Sequence, residues 1–165
     1  MKNVSFTKNS WALVIRKYKQ SDKEMIIELL RLNSPEYFSP DEEKDLIYYL
    51  DYESHNYFVV EDRNMLVGCG GFNLTEDGET AKIAWDFFDP SAHRKGLGTK
   101  LMLYRIDKIK QIKSVKTLSV RTSQMAYRFY QKFGMELRET VKNYWAEGFD
   151  LYRLDCDMNE IIDKT

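Results

Sequence analysis

The stretch that decides the fold is FFDPSAHRKGLGTKLM, which runs from Phe87 to Met102. It joins a strand-like run to a helix-like run and surrounds Gly96 and Gly98 with three basic residues. Backbone N–H groups already make the start of a helix positive, so basic residues there are unfavourable without a negative partner. Glycines let a ligand approach the backbone, and successive N–H groups at a helix start bind anions. We therefore predict an anion site, with a simple glycine turn or a solvated basic surface as the alternatives.

Two familiar phosphate-binding patterns do not fit this loop. The phosphate loop of nucleotide hydrolases needs Gly-x-x-x-x-Gly-Lys-Ser/Thr, whereas Thr99 and Lys100 follow the second glycine in the opposite order. The dinucleotide-binding fingerprint needs a third glycine at the position of Leu101. Both nucleotide patterns are therefore excluded.

Length and composition predict one ordered domain, residues 1–165. The chain is 43% hydrophobic and 14% aromatic, and it is long enough to bury a substantial core. Its net charge of -1 argues against a nucleic-acid partner, because the basic residues of interest are local. The N-terminal residues lack the apolar core of a signal peptide, and no apolar run approaches the roughly 20 residues that a membrane span needs. We expect a cytoplasmic protein that does not associate with membranes.

The cysteines and histidines suggest neither a metal site nor a cysteine nucleophile. Cys69 and Cys156 each lie in an apolar stretch, which favours two buried thiols over one disulfide. Neither has a nearby histidine with which to form a nucleophile pair, since His55 and His93 are remote in sequence. No Cys/His cluster has the spacing of a metal site, so we expect no metal. The sequence does not distinguish a monomer from a homodimer.

Periodicity and capping signals predict a mixed α/β domain with the order β-α-α-β-β-β-α-β-α-β-β. This order lacks the strict alternation of a doubly wound fold. The predicted strands are residues 11–18, 56–62, 65–74, 80–89, 115–122, 135–145 and 150–158. The predicted helices are residues 21–33, 39–52, 97–113 and 124–134.

The loop and this element order together resemble the GNAT superfamily of N-acetyltransferases. The acetyl-CoA loop of that family reads Gln/Arg-x-x-Gly-x-Gly/Ala, placed after a strand that ends near a proline, and this chain has His93 at the first position. A second family motif, Asn-x-x-Ala-x-x-x-Tyr followed by a glycine, is matched by Ser123, Ala126, Tyr130 and Gly134, with serine in place of asparagine. The resemblance covers about residues 11–158.

The resemblance implies the GNAT acyltransferase fold, in which the fourth and fifth strands splay apart and the pantetheine arm of acetyl-CoA lies in the gap. A backbone N–H near Phe87 would hold the thioester oxygen. The pyrophosphate would rest on the amides from Arg94 to Thr99. The implied cofactor-binding residues are Phe87, Phe88, Asp89, His93, Arg94, Lys95, Gly96, Leu97, Gly98, Thr99, Ser123 and Tyr130.

The reaction implied by the resemblance is direct attack of a primary amine on the acetyl thioester. An amine with a pKa of about 10.4 is mostly protonated at pH 7, and freeing it costs roughly 4–5 kcal/mol, so a base is expected. Asp86 on the fourth strand is the first candidate for this base, followed by Glu36 and Glu147. Tyr130 matches the family's general acid, which protonates the leaving thiolate.

The identity of the acceptor is not evident from the residues. We expect its pocket to form from residues 33–43 and 142–150, because both segments mix aromatic and acidic residues in a way that suits a cationic amine. One alternative function is an acyl-CoA-binding sensor or interaction module without turnover. A second alternative is an α/β domain whose glycine loop holds some other phosphate ligand.

Overall fold

The structure is a computed structural model that describes residues 13–93 and 95–164. Seven strands form one mixed sheet, and four α-helices cover its two faces. The strands are β1 (Val14–Lys17), β2 (Tyr57–Asp62), β3 (Met65–Leu74), β4 (Thr80–Phe88), β5 (Thr117–Thr122), β6 (Glu136–Ala146) and β7 (Phe149–Asp157). The helices are α1 (Lys23–Leu32), α2 (Glu43–Tyr52), α3 (Leu97–Lys110) and α4 (Tyr127–Gln131). The predicted fold class and element order are confirmed.

The strands lie in the sheet in the order β1-β2-β3-β4-β5-β7-β6. β4 and β5 run parallel, and the other neighbouring pairs are antiparallel. β2 and β3 form the predicted hairpin, in which Arg63 and Asn64 have φ of 54° and 64°. Two consecutive residues with positive φ match the twist of an antiparallel pair and give a tight turn.

The hydrophobic core lies on both faces of the sheet, and the sequence of β2 explains why. Its first four residues are all buried, as expected for a strand that is covered on both sides. Tyr57 and Val59 pack toward the side covered by α1 and α2. Phe58 and Val60 point the other way, into the cluster under α3 and α4. Alternating residues of one strand therefore supply both halves of the core.

The start of α1 differs from the prediction. Ser21 and Glu24 have the spacing of a capping box, but the chain makes a 3-10 turn there and the Asp22 carboxylate accepts the N–H of Lys19 at 2.8 Å. Asp22 also binds the guanidinium of Arg16 through both oxygens, at 2.8 and 2.9 Å. The α-helix begins at Lys23 rather than at residue 21, and the side chain of Met25 in its first turn is 45% exposed.

The fourth helix is shorter than predicted. The Ser123 hydroxyl accepts the N–H of Met125 at 3.3 Å, and residues 124–126 form a turn before α4 begins. Gly134, with φ of 86°, follows the helix as predicted. A local side-chain acceptor competes with the first helical turn here and delays the helix.

The predicted splay between β4 and β5 is present. Their backbones pair from Thr80 with Thr117 as far as Ile83 with Val120. Beyond these residues β4 continues to Phe88 and β5 to Thr122 without further pairing between them. The separation leaves the two strand ends as opposite walls of a gap.

Candidate active site

A cleft of about 730 Å³ opens where β4 and β5 separate. The end of α1 and the segment leading to α2 form one side, and the β6–β7 hairpin and α4 form the other. Aromatic side chains supply much of its wall: Tyr37, Phe38, Tyr49, Trp85, Phe87, Phe88, Phe129, Tyr130, Trp145 and Phe149. Large, mostly apolar clefts with a few polar groups are typical of small-molecule sites.

A β-bulge in β4 shapes the middle of the cleft. The register of β3 with β4 shifts between the Cys69–Phe87 and Gly71–Ala84 pairs, so that Trp85 and Asp86 face Gly70 alone. Trp85 has φ of 48°, and its carbonyl turns to accept the hydroxyl of Tyr57 at 2.9 Å. The bulge redirects the side chains of β4 at the point where pairing with β5 ends.

The bulge brings Asp86 to two donors from different helices. Its Oδ2 accepts the Nη2 of Arg105, on α3, at 2.7 Å and the hydroxyl of Tyr130, on α4, at 2.8 Å. Arg105 is 0% exposed and the Asp86 side chain is 13% exposed. Gly70 makes this possible, because a Cβ there would overlap the Asp86 carboxylate and lie 2.9 Å from Nη1 of Arg105.

Tyr130 lies on the cleft wall and is 4% exposed. Burial raises the pKa of its phenol well above its usual value of 10.0, and the nearby charge of Asp86 raises this pKa further, while Arg105 lowers it. Tyr130 therefore remains protonated near neutral pH, in the form that a proton donor requires. Its predicted place in the site is consistent with this geometry, and its role as general acid remains a prediction.

The glycine loop leads into α3 as the sequence predicts. Gly96 adopts the left-handed conformation with φ of 74°, and within the described residues no side chain caps the helix start. By contrast, Ser39 caps the turn before α2. Gly98 lines the cleft, and a Cβ there would reach ordinary contact with the ring of Phe129 at 3.5 Å. Uncapped N–H groups beside an open cleft are available to an anionic ligand.

The other residues of the glycine loop differ in how far their side chains are buried and in whether they line the cleft. The Leu97 side chain is buried in the core, so only its backbone remains for a ligand, while Lys95 is exposed and Thr99 half-buried. His93 lines the cleft and packs edge-to-face against Tyr37 at 5.6 Å. Arg94 lies outside the described residues. The predicted ligand contacts of these residues and of Ser123, which also lines the cleft, remain predictions.

The predicted backbone contacts on β4 are only partly available. The N–H of Asp89 donates to the carbonyl of Val67 at 2.8 Å, and the carbonyl of Asp89 accepts the N–H of Ala92. Both backbone groups of Asp89 are therefore already hydrogen-bonded within the protein. The carbonyl of Phe88 accepts the side-chain amide of Asn33 at 2.8 Å. Because successive residues of a strand direct their backbone N–H and C=O groups to opposite sides, those of Phe88 face the gap and those of Asp89 face away from it.

The three candidates for the base lie in different surroundings. Oδ2 of Asp86 is occupied by two donors, and Oδ1 is buried without a hydrogen-bond partner among the described residues. This geometry disfavours direct proton transfer from a substrate to Asp86, whose role as base remains a prediction. Glu36 and Glu147 are exposed and do not line the cleft.

The acids on the cleft wall, besides Asp86, are Glu42, Asp45 and Glu53. Glu42 lies in the predicted pocket segment 33–43, whereas no sequence pattern pointed to Asp45 or Glu53. Glu42 accepts the N–H of Ser39 at 2.8 Å, and burial raises the pKa of its carboxyl. An arginine within the apolar stripe of α3 was the available signal for Arg105, which lies among buried residues of that helix.

The cysteines are buried free thiols, as predicted. Burial raises the pKa of the Cys69 thiol above its usual range, which disfavours the thiolate and any role as nucleophile.

Among residues 13–93 and 95–164, no group of three or more His, Cys, Asp or Glu is placed to hold a metal ion. No helix in the described part of the chain is both long and apolar enough to cross a membrane.

Residues 26–135 match the model of the Acetyltransferase (GNAT) family. The match spans about two thirds of the chain and includes the glycine loop, α3, the cleft strands β4 and β5, and Tyr130. The chain therefore belongs to the GNAT acetyltransferase family, and the resemblance drawn from its motifs is confirmed. No curated protein matches this sequence at a significant level.

Solved structures share the fold at low sequence identity. The loading GNATL domain of CurA from Lyngbya majuscula superposes with a TM-score of 0.77 at 16% identity, covering 90% of this chain and 98% of that one. The ribosomal-protein-S18-alanine N-acetyltransferase from Escherichia coli gives 0.74 at 18%, covering 89% and 94%. YncA from Salmonella typhimurium, solved with its cofactor acetyl-CoA, gives 0.71 at 17%, also covering 89% and 94%. These likenesses establish the fold of the chain.

Proposed function

We propose that this protein transfers an acetyl group from acetyl-CoA to a primary amine by direct attack. The observation that carries the proposal is the cleft itself, where splayed β4 and β5 meet an uncapped glycine helix start beside a buried tyrosine hydroxyl. The gap offers unpaired strand backbone to an extended arm, and the helix start offers N–H groups to a pyrophosphate. Family membership supports the same reaction class.

The acceptor end of the cleft suits a cationic amine. Glu42, Asp45 and Glu53 line this side, together with aromatic rings such as Phe38 and Trp85, which stack at 6.2 Å. Carboxylates attract an ammonium group, and aromatic faces add a cation–π contribution. Both predicted segments contribute to the cleft, Tyr37 and Phe38 from the first and Trp145 and Phe149 from the second.

Tyr130 supplies the proton chemistry. A thiolate, with a thiol pKa of about 8.5, is a weaker base than tyrosinate, so Tyr130 does not simply ionise to protonate it. We propose that Tyr130 gives its hydroxyl proton to the departing sulfur as the same oxygen takes a proton from the attacking nitrogen. The carbon–nitrogen bond forms, the carbon–sulfur bond breaks, one proton reaches sulfur, and the phenol is restored. Any earlier proton lost by the ammonium group goes to solvent.

The test is thiol release from acetyl-CoA with a panel of polyamines, amino sugars and peptide N-termini, with acetylated product identified by mass. Tyr130→Phe should lower kcat by about 10²–10⁴-fold, the usual contribution of general acid–base catalysis, and leave CoA affinity unchanged. Tyr104→Phe is the matched control, because Tyr104 packs against Phe58 outside the cleft. Wild-type kcat in Tyr130→Phe would exclude the acid role. Tight CoA binding without thiol release from any amine would favour the acyl-CoA-binding module instead.

A further inference from the structure

Arg105 is a buried charge that the proposed reaction does not use. It is 0% exposed and has the greatest volume among the fully buried side chains of the described residues. Its Nη1 donates to the carbonyl of Gly71 at 3.1 Å, its Nη2 binds Asp86 and lies 3.6 Å from the sulfur of Met102, and its Nε has no hydrogen-bond partner among the described residues. Burying an ion pair is often no better for stability than packing apolar side chains of the same volume. Core stability is therefore a weak explanation for an arginine here.

The geometry connects Arg105 to the reaction through one oxygen atom. Both the guanidinium and the Tyr130 hydroxyl donate to Oδ2 of Asp86, at 2.7 and 2.8 Å. A carboxylate at this distance holds the phenol proton and opposes, by like-charge repulsion, the negative charge that develops on the phenol oxygen during the proton transfer. A guanidinium on the same oxygen offsets that repulsion, because it compensates the carboxylate charge in a low-dielectric interior.

We propose that Arg105 is a positioning residue that acts through Asp86 on Tyr130. Asp86 orients the hydroxyl, and Arg105 prevents the carboxylate from trapping the proton that Tyr130 must give to sulfur. The inference rests on the proposed function, in which Tyr130 transfers that proton. Gly70 and the bulge at Trp85 are the backbone features that let the three side chains meet.

The test is a double-mutant cycle on kcat. Arg105→Met keeps much of the side-chain volume and removes the charge, and we expect kcat to fall about tenfold or more with CoA affinity unchanged. Arg105→Lys keeps the charge and should lose less. In a Tyr130→Phe background neither substitution should lower kcat further, because the hydroxyl on which Arg105 acts is gone. A tenfold loss that persists in that background would overturn the proposal and leave Arg105 a purely structural residue.

Ile109→Ala is the matched control, since it disturbs packing one turn away on the same helix at a residue that is also 0% exposed. Its effect on kcat should be the same with and without the Tyr130 hydroxyl. If Arg105→Met does not fold, Arg105→Gln, which also removes the charge, carries the cycle with the same two outcomes.

A readout without turnover separates this inference from the proposed function. The hydroxyl proton of Tyr130 is donated to a buried carboxylate and should give a downfield proton NMR signal, identified by its loss in Tyr130→Phe. The signal should shift in Arg105→Met and stay near its wild-type position in Ile109→Ala. If no amine is acetylated but the signal shifts, the proposed function fails and the coupling stands. An unmoved signal would refute the coupling whatever the activity.

Discussion

Gly70→Ala tests whether the site depends on the absence of a single side chain. An added Cβ would overlap the Asp86 carboxylate and stand 2.9 Å from Nη1 of Arg105 and 3.1 Å from Cδ2 of Leu101. These neighbours have little room to move, because Arg105 and Leu101 are both 0% exposed. We expect the buried ion pair to separate.

Separating a buried ion pair costs about 3–5 kcal/mol, a large part of a typical unfolding free energy of about 5–15 kcal/mol. For a chain of this length, that loss lowers Tm by about 6–20 °C. Denaturant unfolding followed by circular dichroism measures it. Gly98→Ala is the control, since a Cβ there makes only ordinary contacts at 3.5 Å and should change stability by less than about 1 kcal/mol. A Gly70→Ala variant within about 1 kcal/mol of wild type would refute the reasoning.

Two further predictions concern the cofactor loop and the start of α1. Gly98→Leu should weaken CoA binding by about tenfold or more in calorimetry, because its side chain would extend into the cleft. Asp107 is exposed on the same helix, so Asp107→Leu should bind CoA with wild-type affinity. Equal CoA affinities in Gly98→Leu and Asp107→Leu would contradict the assignment of the glycine loop as the CoA site. Asp22→Asn should cost about 2 kcal/mol at pH 7, since the Arg16 hydrogen bonds lower the pKa of the Asp22 carboxyl. A carboxyl whose pKa is lowered by folding stabilises the protein at pH values above its unfolded pKa of about 3.9. The difference in unfolding free energy between Asp22→Asn and wild type should therefore narrow below pH 4. A difference that is constant from pH 7 to pH 3 would contradict that assignment.

Local patterns were enough to predict the family and most of the fold. The glycines and basic residues between a strand and a helix are near neighbours in the chain, and so are the Ser39 cap and the residues of the β2–β3 turn. Their structural meaning depends on the conformation of a few consecutive residues, which is what sequence patterns describe. The 3-10 turn at Asp22 was missed because its partner Arg16 lies outside the local helix signal.

The chemistry of the cleft depends on contacts that sequence spacing does not encode. Asp86, Arg105 and Tyr130 lie on a strand and two different helices, and they meet only because β4 bulges at Trp85 opposite a glycine. As the acidic residue of the fourth strand, Asp86 is a candidate base in the sequence, whereas in the folded chain two donors already bind its Oδ2.

The sequence by itself thus determined the family, the element order and the position of the glycine loop, since each depends on residues close together in the chain. Only the tertiary structure decided which charges face one another, because burial and pairing are set by how separate elements pack. The gap between β4 and β5 depends on both: the resemblance to the family implied it, and the end of pairing at Ile83 and Val120 fixed where it opens.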